Sequence, residues 1–598
     1  MRLLLRFWRK YASAFRLHYL FGIGFLVATN ALAVAIPGFV QSAVDALTTG
    51  TQRGVDAASS WALCIIAAGL GIVIVRTLSR TLFFNPGRTI EFTMKNDLFD
   101  RLLILPRAFY DTMRPGEIIS RGTNDSNWMR VLVGFGTLQL FNVVFTLIIT
   151  LAQMLHADLV LTLACVGPLL LAALVLRKAV AAMFKSVQAL NVEVANLSNQ
   201  ILESYNAISV LQSFGALSGA RAHVGETNHR IQSLGQELNR IRSWSLPIVS
   251  VIGNLCVVIV LYVGGQRVQS GHLTIGQLAA FTVYVNLLVG AMTGLGWLVN
   301  AVQRGYLSLG RLYDVIDAPL AAPATHTTLP APDPRGYGLQ IRGLDFAYPT
   351  AGDKLTLRGL NLDLRPGETL GVFGQTGSGK STLLQVLARV YDPPKGTVFL
   401  HGLDGLNGFD LRDLPVEAWR REVAYVPQEA FLFSTTLREN VALSVRKGEI
   451  DEERLRCAVD DAALTVDLTA LPDGLETVVG ERGITLSGGQ RQRAALARAF
   501  YQDFRLLLLD DVMSAVDHAT EKQLIDAVYR RSTAATTVIV SHRCSVVARA
   551  QRIVVFEGGS IVDEGRHEEL LTREGPYARA YRLQMAAADL EGDAVEPV

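Results

Sequence analysis

The sequence predicts two folds in one chain: an α-helical six-span transmembrane domain followed by an α/β P-loop domain. Three observations predict it: six apolar stretches of bilayer length before residue 302, short apolar runs alternating with helical patterns after residue 338, and a glycine-rich loop joining one such run to a helix. At 598 residues the chain exceeds one ordinary core, and 50% hydrophobic with only 18% charged residues is too apolar for a wholly soluble protein. Mean hydropathy is +0.29. A net charge of +2 gives no reason to expect nucleic acid as a partner.

The apolar stretches fall near 20–40, 61–83, 131–155, 159–176, 248–268 and 278–302, each close to the ~20 residues that cross a bilayer as helix. Lys and Arg crowd alternate connections. Arg2, Arg6, Arg9, Lys10 and Arg16 precede the first span, Arg76 to Arg130 separate the second from the third, and Arg177 to Arg242 fill the segment between the fourth and fifth. The opposite loops hold little beyond Arg53 and Arg267. Basic flanks stay on the cytoplasmic side, so both termini are expected there. The basic start, the apolar run and Ala33-Val34-Ala35 read as a retained span rather than a cleaved leader. The apolar run exceeds the ~7–15 residues of a leader, and the topology closes only if it stays.

Residues 1–317 therefore read as the membrane domain. The segment 318–338, with Pro319, Pro323, Pro330, Pro332 and Pro334 and no periodicity, reads as a linker. From 339 to 585 strand-like runs such as 369–373, 505–510 and 536–540 alternate with helical ones, leaving 586–598 as a tail.

Gly374-Gln375-Thr376-Gly377-Ser378-Gly379-Lys380-Ser381-Thr382 directly follows the apolar run 370–373 and opens a helical one, the context of a P-loop. Its glycines let backbone N–H groups converge on phosphate oxygens at a helix start, Lys380 neutralises phosphate charge and Ser381 can ligate Mg²⁺. Leu486-Ser487-Gly488-Gly489-Gln490 repeats the logic before a second helical run: a serine and glycine amides can grip an anion, or the serine can simply cap the helix.

The two motifs together, behind six spans, resemble the ABC exporters of the half-transporter type, and the likeness covers almost the whole chain. The resemblance implies ATP and Mg²⁺ as cofactors and further roles by position. Tyr348, in Phe346-Ala347-Tyr348-Pro349, matches the aromatic that stacks on adenine, and Gln428 matches the glutamine that senses Mg²⁺ and faces the membrane domain. Asp510 matches the Walker B carboxylate that holds the metal through water. Ser514 to Asp517 match the loop that communicates with the opposite site, and His542 the switch histidine near the γ-phosphate. Val479-Gly480-Glu481-Arg482-Gly483 resembles a segment typical of exporters. Phe109 to Asp125 and Glu203 to Gly215 resemble the two cytoplasmic loops of such exporters, the tip of the first docking on an ATPase domain.

One position departs from the pattern. Active members have Glu after the Walker B aspartate, whereas this chain reads Asp510-Asp511-Val512-Met513. A general base must come within about 2.6–3.2 Å of the water it activates, and a misplacement near 1 Å costs on the order of a hundredfold. Asp511, one methylene short, is expected to hydrolyse ATP slowly. Because the family pairs one chain's P-loop with the other chain's signature motif, the intact Ser487–Gln490 suits a heterodimer whose partner brings the glutamate. The alternatives are a homodimeric lipid or drug flippase and a non-transporting membrane ATPase that uses ATP as a switch.

The spans carry amides (Asn30, Asn142, Gln153, Asn254, Asn286) rather than charges, which leans towards a hydrophobic or amphipathic cargo, drug or lipid, and towards interhelical hydrogen bonding by the amides. Cys64, Cys165, Cys256, Cys457 and Cys544 have no metal or redox spacing and read as small buried side chains in a reducing compartment.

Overall fold

The computed structural model describes residues 2–320, 325–326, 328–352, 354–401, 408–480, 486–513 and 518–591. By their contacts they form two units: Met1–Leu103 with Gly116–Asp317, and Ile104–Pro115 with Ala318–Val598.

The first unit is helical, and among the described residues six helices are long and apolar enough to cross a membrane. Their helices are α1 (Arg16–Thr48), α2 (Gln52–Ile104), α3 (Thr137–Ala157), α4 (Leu159–Asn206), α5 (Leu217–Gln269), whose crossing segment is Val251–Gln269, and α6 (Ile275–Ile316). Several run far past the ~30 Å of a bilayer's hydrocarbon, since 53 residues in α2 extend ~80 Å at 1.5 Å each. Leu63, Ile66, Leu70, Val73 and Ile74 lie exposed along α2, as a face solvated by lipid requires. The starts of α4 and α6 are capped: at α4 the Asp158 carboxylate accepts from Leu161 N–H at 2.7 Å and pairs with Arg267 at 2.5 Å. Thr274 and Gln277 form a capping box at α6, and Asp45 of α1 receives the Thr274 hydroxyl and the Gly276 N–H.

Of the intramembrane amides, Asn30 donates to Asn142 at 3.2 Å and accepts from Thr146 at 2.6 Å, tying α1 to α3 as expected of interhelical partners. Asn286 instead donates to Thr282 O of its own helix. The cysteine expectation holds in part: Cys165, Cys256 and Cys544 are buried, but Cys64 and Cys457 are exposed, the former on the outward face of α2 where lipid replaces protein as the apolar surrounding.

The second unit carries a four-stranded antiparallel sheet, β2–β1–β4–β5, and a six-stranded sheet in the order β10–β9–β3–β8–β7–β6. The strands are β1 (Gly338–Phe346), β2 (Leu357–Leu364), β3 (Thr369–Gly374), β4 (Val398–His401), β5 (Phe409–Asp410), β6 (Val423–Val426), β7 (Leu506–Asp510), β8 (Thr536–Ser541), β9 (Arg552–Glu557) and β10 (Ser560–Gly565). In the larger sheet β6, β7, β8, β3 and β9 run parallel and β10 closes the edge antiparallel. β3, β7 and β8 are buried along their whole length, which is why they read as continuous apolar runs rather than alternating ones. Register sets Phe373 beside Ser541 and Asp510 beside Val540, so the carboxyl ends of these three strands meet at one edge. Ligands bind at that edge in open parallel sheets. The last helix, Pro576–Glu591, continues past residue 585, where the sequence suggested a tail.

Candidate functional site

The P-loop is the turn between β3 and α7 (Lys380–Leu387). Two of its glycines are required by space. A Cβ on Gly374 would sit 2.4 Å from the Phe556 carbonyl oxygen, and Gly379, at φ +101, would press one to 2.9 Å from Leu357 Cδ2. Gln375, Thr376 and Gly377 are exposed at the mouth, while Ser378 and Thr382 are buried. Lys380 curls back over the loop, Nζ donating to the carbonyls of Gly374 at 2.7 Å and Gln375 at 2.8 Å. Burial lowers its pKa from the ordinary lysine value, and the charges of Asp511 and Asp510 oppose that. A cation anchored at the floor of a ring of amides is an anion site.

Ser381 donates to Asp510 Oδ1 at 2.9 Å, joining the P-loop to the end of β7. Burial lifts the Asp510 carboxyl above its usual range, against the pull of Ser381 and Lys380. A hydroxyl and a carboxylate oxygen in this relation suit a hard cation such as Mg²⁺. Among the described residues no group of three or more His, Cys, Asp or Glu could hold a metal, and Ser381 Oγ and Asp510 Oδ1 are the side-chain oxygens beside the loop that would hold such a cation.

Asp511 is held differently. Among the described residues it is one of three non-glycine residues with positive φ, at +50, and its N–H donates to Val540 O at 2.9 Å. The left-handed conformation is tolerated by aspartate and turns the side chain across to β8. There its carboxylate lies 2.9 Å from His542 Nδ1 and accepts the Ser541 hydroxyl at 3.2 Å. Both carboxylate oxygens are within 3.1 Å of the imidazole nitrogen.

Tyr348 packs edge-on against Tyr391 at 5.2 Å, and its hydroxyl reaches Thr382 Oγ1 at 2.9 Å and Gln385 Oε1 at 3.0 Å. Thr382 is therefore engaged with Tyr348 rather than turned to the loop mouth. Tyr391, which no sequence pattern singled out, donates to Asp111 at 2.6 Å in the short helix Arg107–Thr112; burial and that bond push its hydroxyl up to about 12. Residues Ile104–Pro115 cluster with the second unit, whereas the tip of the other loop, Ile208–Ser213, clusters with the first.

Ser487 caps α8 (Gly488–Tyr501) in a capping box: its hydroxyl accepts the Gln490 N–H at 3.2 Å and its own N–H donates to Gln490 Oε1 at 2.9 Å. Gln428 and Gly488 line a separate cavity with Arg107, Phe431 and Arg491. Within one chain hydrogen bonds join Tyr348 to Thr382, Ser381 to Asp510 and Asp511 to His542; among the described residues none joins Gln428 or Ser487–Gln490 to the P-loop. Glu481, Arg482, Gly483, Ser514 and Asp517 lie outside the described residues. In the first unit a further cavity of about 460 Å³ opens between α4 and α6, walled by Ala173, Phe184, Met292 and Leu295 with Arg177 and Gln303 among its lining.

Residues 19–292 match the ABC transporter transmembrane region, and 357–514 match the ABC transporter family model. A probable multidrug resistance ABC transporter ATP-binding/permease protein of Bacillus subtilis is 29% identical over 97% of this chain and 98% of its own length. An ATP-dependent lipid A-core flippase of Ralstonia nicotianae is 30% identical over 94% of each. The solved structure of a bacterial Atm1-family ABC exporter with ATP bound superposes with a TM-score of 0.79 at 24% identity, covering 99% of both chains.

Proposed function

This chain belongs to the ABC transporters, carrying the membrane region and the ATPase in one polypeptide, and from that premise we propose that it is the slow-site half of a heterodimeric exporter. The observation that carries the reading is Asp511: a base one methylene short, turned by its left-handed backbone onto Ser541 and His542, in a chain whose Ser487–Gln490 motif is intact. ATP binds at the P-loop with Lys380 on its phosphates, Ser381 and Asp510 on Mg²⁺ and Tyr348 near the base. A partner's glutamate, facing this chain's Ser487, forms the fast site. The protein sits in the bacterial cytoplasmic membrane with both termini and the ATPase on the cytoplasmic side.

The test is phosphate release. The purified chain is expected to turn over well below one ATP per second, and mixing with a partner half that carries Glu after its Walker B Asp is expected to bring the rate into the usual range of about 1–1000 per second. A rate of several per second from the pure chain would sink the heterodimer and favour the symmetric reading, a homodimeric flippase, to which the flippase relative lends support.

The cargo is read as hydrophobic or amphipathic. Ala173 and Met292 lie 14 and 17 residues into helices that start at Leu159 and Ile275, a depth of ~21–26 Å at 1.5 Å per residue. The cavity between α4 and α6 thus begins towards the cytoplasmic end of the spans. Ala173→Trp, which fills it, is expected to raise the half-maximal concentration for cargo-stimulated ATPase about fivefold or more while leaving unstimulated hydrolysis in place. Measurement over a panel of amphipathic dyes and lipids checks this. Unchanged stimulation by every active compound would move the cargo site elsewhere.

A further inference from the structure

The last helix, α9 (Pro576–Glu591), reaches into the nucleotide site by a contact that its sequence does not announce. Gln584 donates from Nε2 to the His542 carbonyl oxygen at 2.8 Å and accepts the Cys544 N–H on Oε1 at 2.9 Å. One amide therefore brackets the turn that carries the switch histidine. The residue between, Arg543, is held separately, its guanidinium on Glu521 at 2.5 Å and its N–H on the Ser541 hydroxyl at 3.0 Å.

The helix that presents this amide is anchored by other means. Tyr577 is fully buried, sets its ring edge against Phe373 at 5.0 Å and shares its hydroxyl with His567 Nδ1 at 2.7 Å. Phe373 immediately precedes the P-loop, so α9 is braced on the strand that carries the loop and holds the histidine turn with the same body. The His542 side chain is half exposed, and its one protein partner among the described residues is the Asp511 carboxylate. A ring so lightly held takes its direction from its own backbone, and the backbone is what Gln584 fixes.

We infer that Gln584 is a positioning residue for ATP hydrolysis at this chain's own site, acting through His542. The inference rests on the P-loop and His542 serving a nucleotide. An amide bonded to two backbone groups is matched in both directions, donor to carbonyl and acceptor to N–H, which a carboxylate or a thioether of the same length cannot reproduce.

The experiment uses the purified full chain and single-turnover hydrolysis of γ-labelled ATP across an ATP titration. Gln584→Met keeps the length and removes both bonds; Gln584→Glu keeps only the acceptor for Cys544. Gln584→Met is expected to lower the hydrolysis rate constant on the order of tenfold with half-saturating ATP unchanged within about twofold. Gln584→Glu is expected to fall between, with the Cys544 amide still protected from hydrogen exchange. In a His542→Ala background Gln584→Met is expected to change the rate less than about twofold, because the ring it aims is gone. Equal losses in both backgrounds, or an unchanged rate in Gln584→Met with intact ATP binding, would overturn the inference while leaving the nucleotide site standing. Failure of the unsubstituted chain to bind ATP would overturn both. Should Gln584→Met melt at a markedly lower temperature, Gln584→Glu decides: a rate equal to that of the unsubstituted chain is against the inference.

Discussion

Ser487→Arg is expected to abolish most steady-state ATP hydrolysis by the heterodimer, on the order of a hundredfold loss, while Asp511→Ala leaves most of it in place. In the proposed heterodimer the two residues, though carried by one chain, would serve different sites. Ser487 lies exposed at the start of α8, where its hydroxyl and the following amides face outward and can meet a phosphate brought by another chain. Arginine there puts a long side chain where the phosphate must come within hydrogen-bond distance, and it also removes the helix cap, which costs about 0.5–2 kcal/mol. A melting curve separates the cap from the phosphate contact, since a stability loss of that size does not by itself stop an enzyme.

On the same proposal Asp511, whose carboxylate lies on Ser541 and His542, is the short base of this chain's own site. If that site is the slow one, removing its carboxylate subtracts little, whereas Asp511→Glu extends the base by one methylene and is expected to raise hydrolysis by the purified chain. The gain depends on whether the longer side chain leaves His542 Nδ1, now 2.9 Å from the aspartate, for the attacking water. Phosphate release by the reconstituted pair with each substitution in turn is the measurement. Equal loss with Asp511→Ala and Ser487→Arg would mean that both sites use Asp511, and the enzyme is then symmetric with aspartate as its base.

Lys380→Ala is expected to weaken ATP binding at this chain's P-loop by about a hundredfold or more. The ammonium is held by the carbonyls of Gly374 and Gln375, so it stands at the loop before any phosphate arrives and little ordering remains to be done on binding. Charge-assisted hydrogen bonds contribute about 1.5–3 kcal/mol each, and two of them lost correspond to at least a hundredfold. Folding should lose little, because the freed Gln375 carbonyl lies at the exposed mouth of the loop where water replaces the ammonium. Lys380→Arg is not expected to rescue, since a planar fork does not fit the space of a point charge. Photolabelling with an azido-ATP analogue reads the result, and undiminished labelling of this chain would remove the phosphate role from Lys380.

Much of this was legible in the sequence because it is local. Apolar runs of bilayer length, the basic flanks, the glycine loop between strand and helix, and the Ser487/Gln490 cap each lie within one element, where hydration and backbone sterics act on neighbouring residues. The resemblance that these motifs carry then named Asp510, Asp511 and His542 as one site. It could not say how they meet. Gly374, Ser541 and Asp510 share an edge because the strands assemble in the order β3, β8, β7, out of sequence, and that order comes from long-range pairing of wholly buried strands. Only in the folded chain does Asp511 take the left-handed turn that hands its carboxylate to a histidine 31 positions away. Tyr391 finds Asp111 across 280 residues, and Gln584 finds the His542 carbonyl across 42, through contacts no periodicity encodes. A polar side chain's partner is whichever matching group packing brings within about 3 Å, so its chemistry is written in the sequence and its partner in the fold.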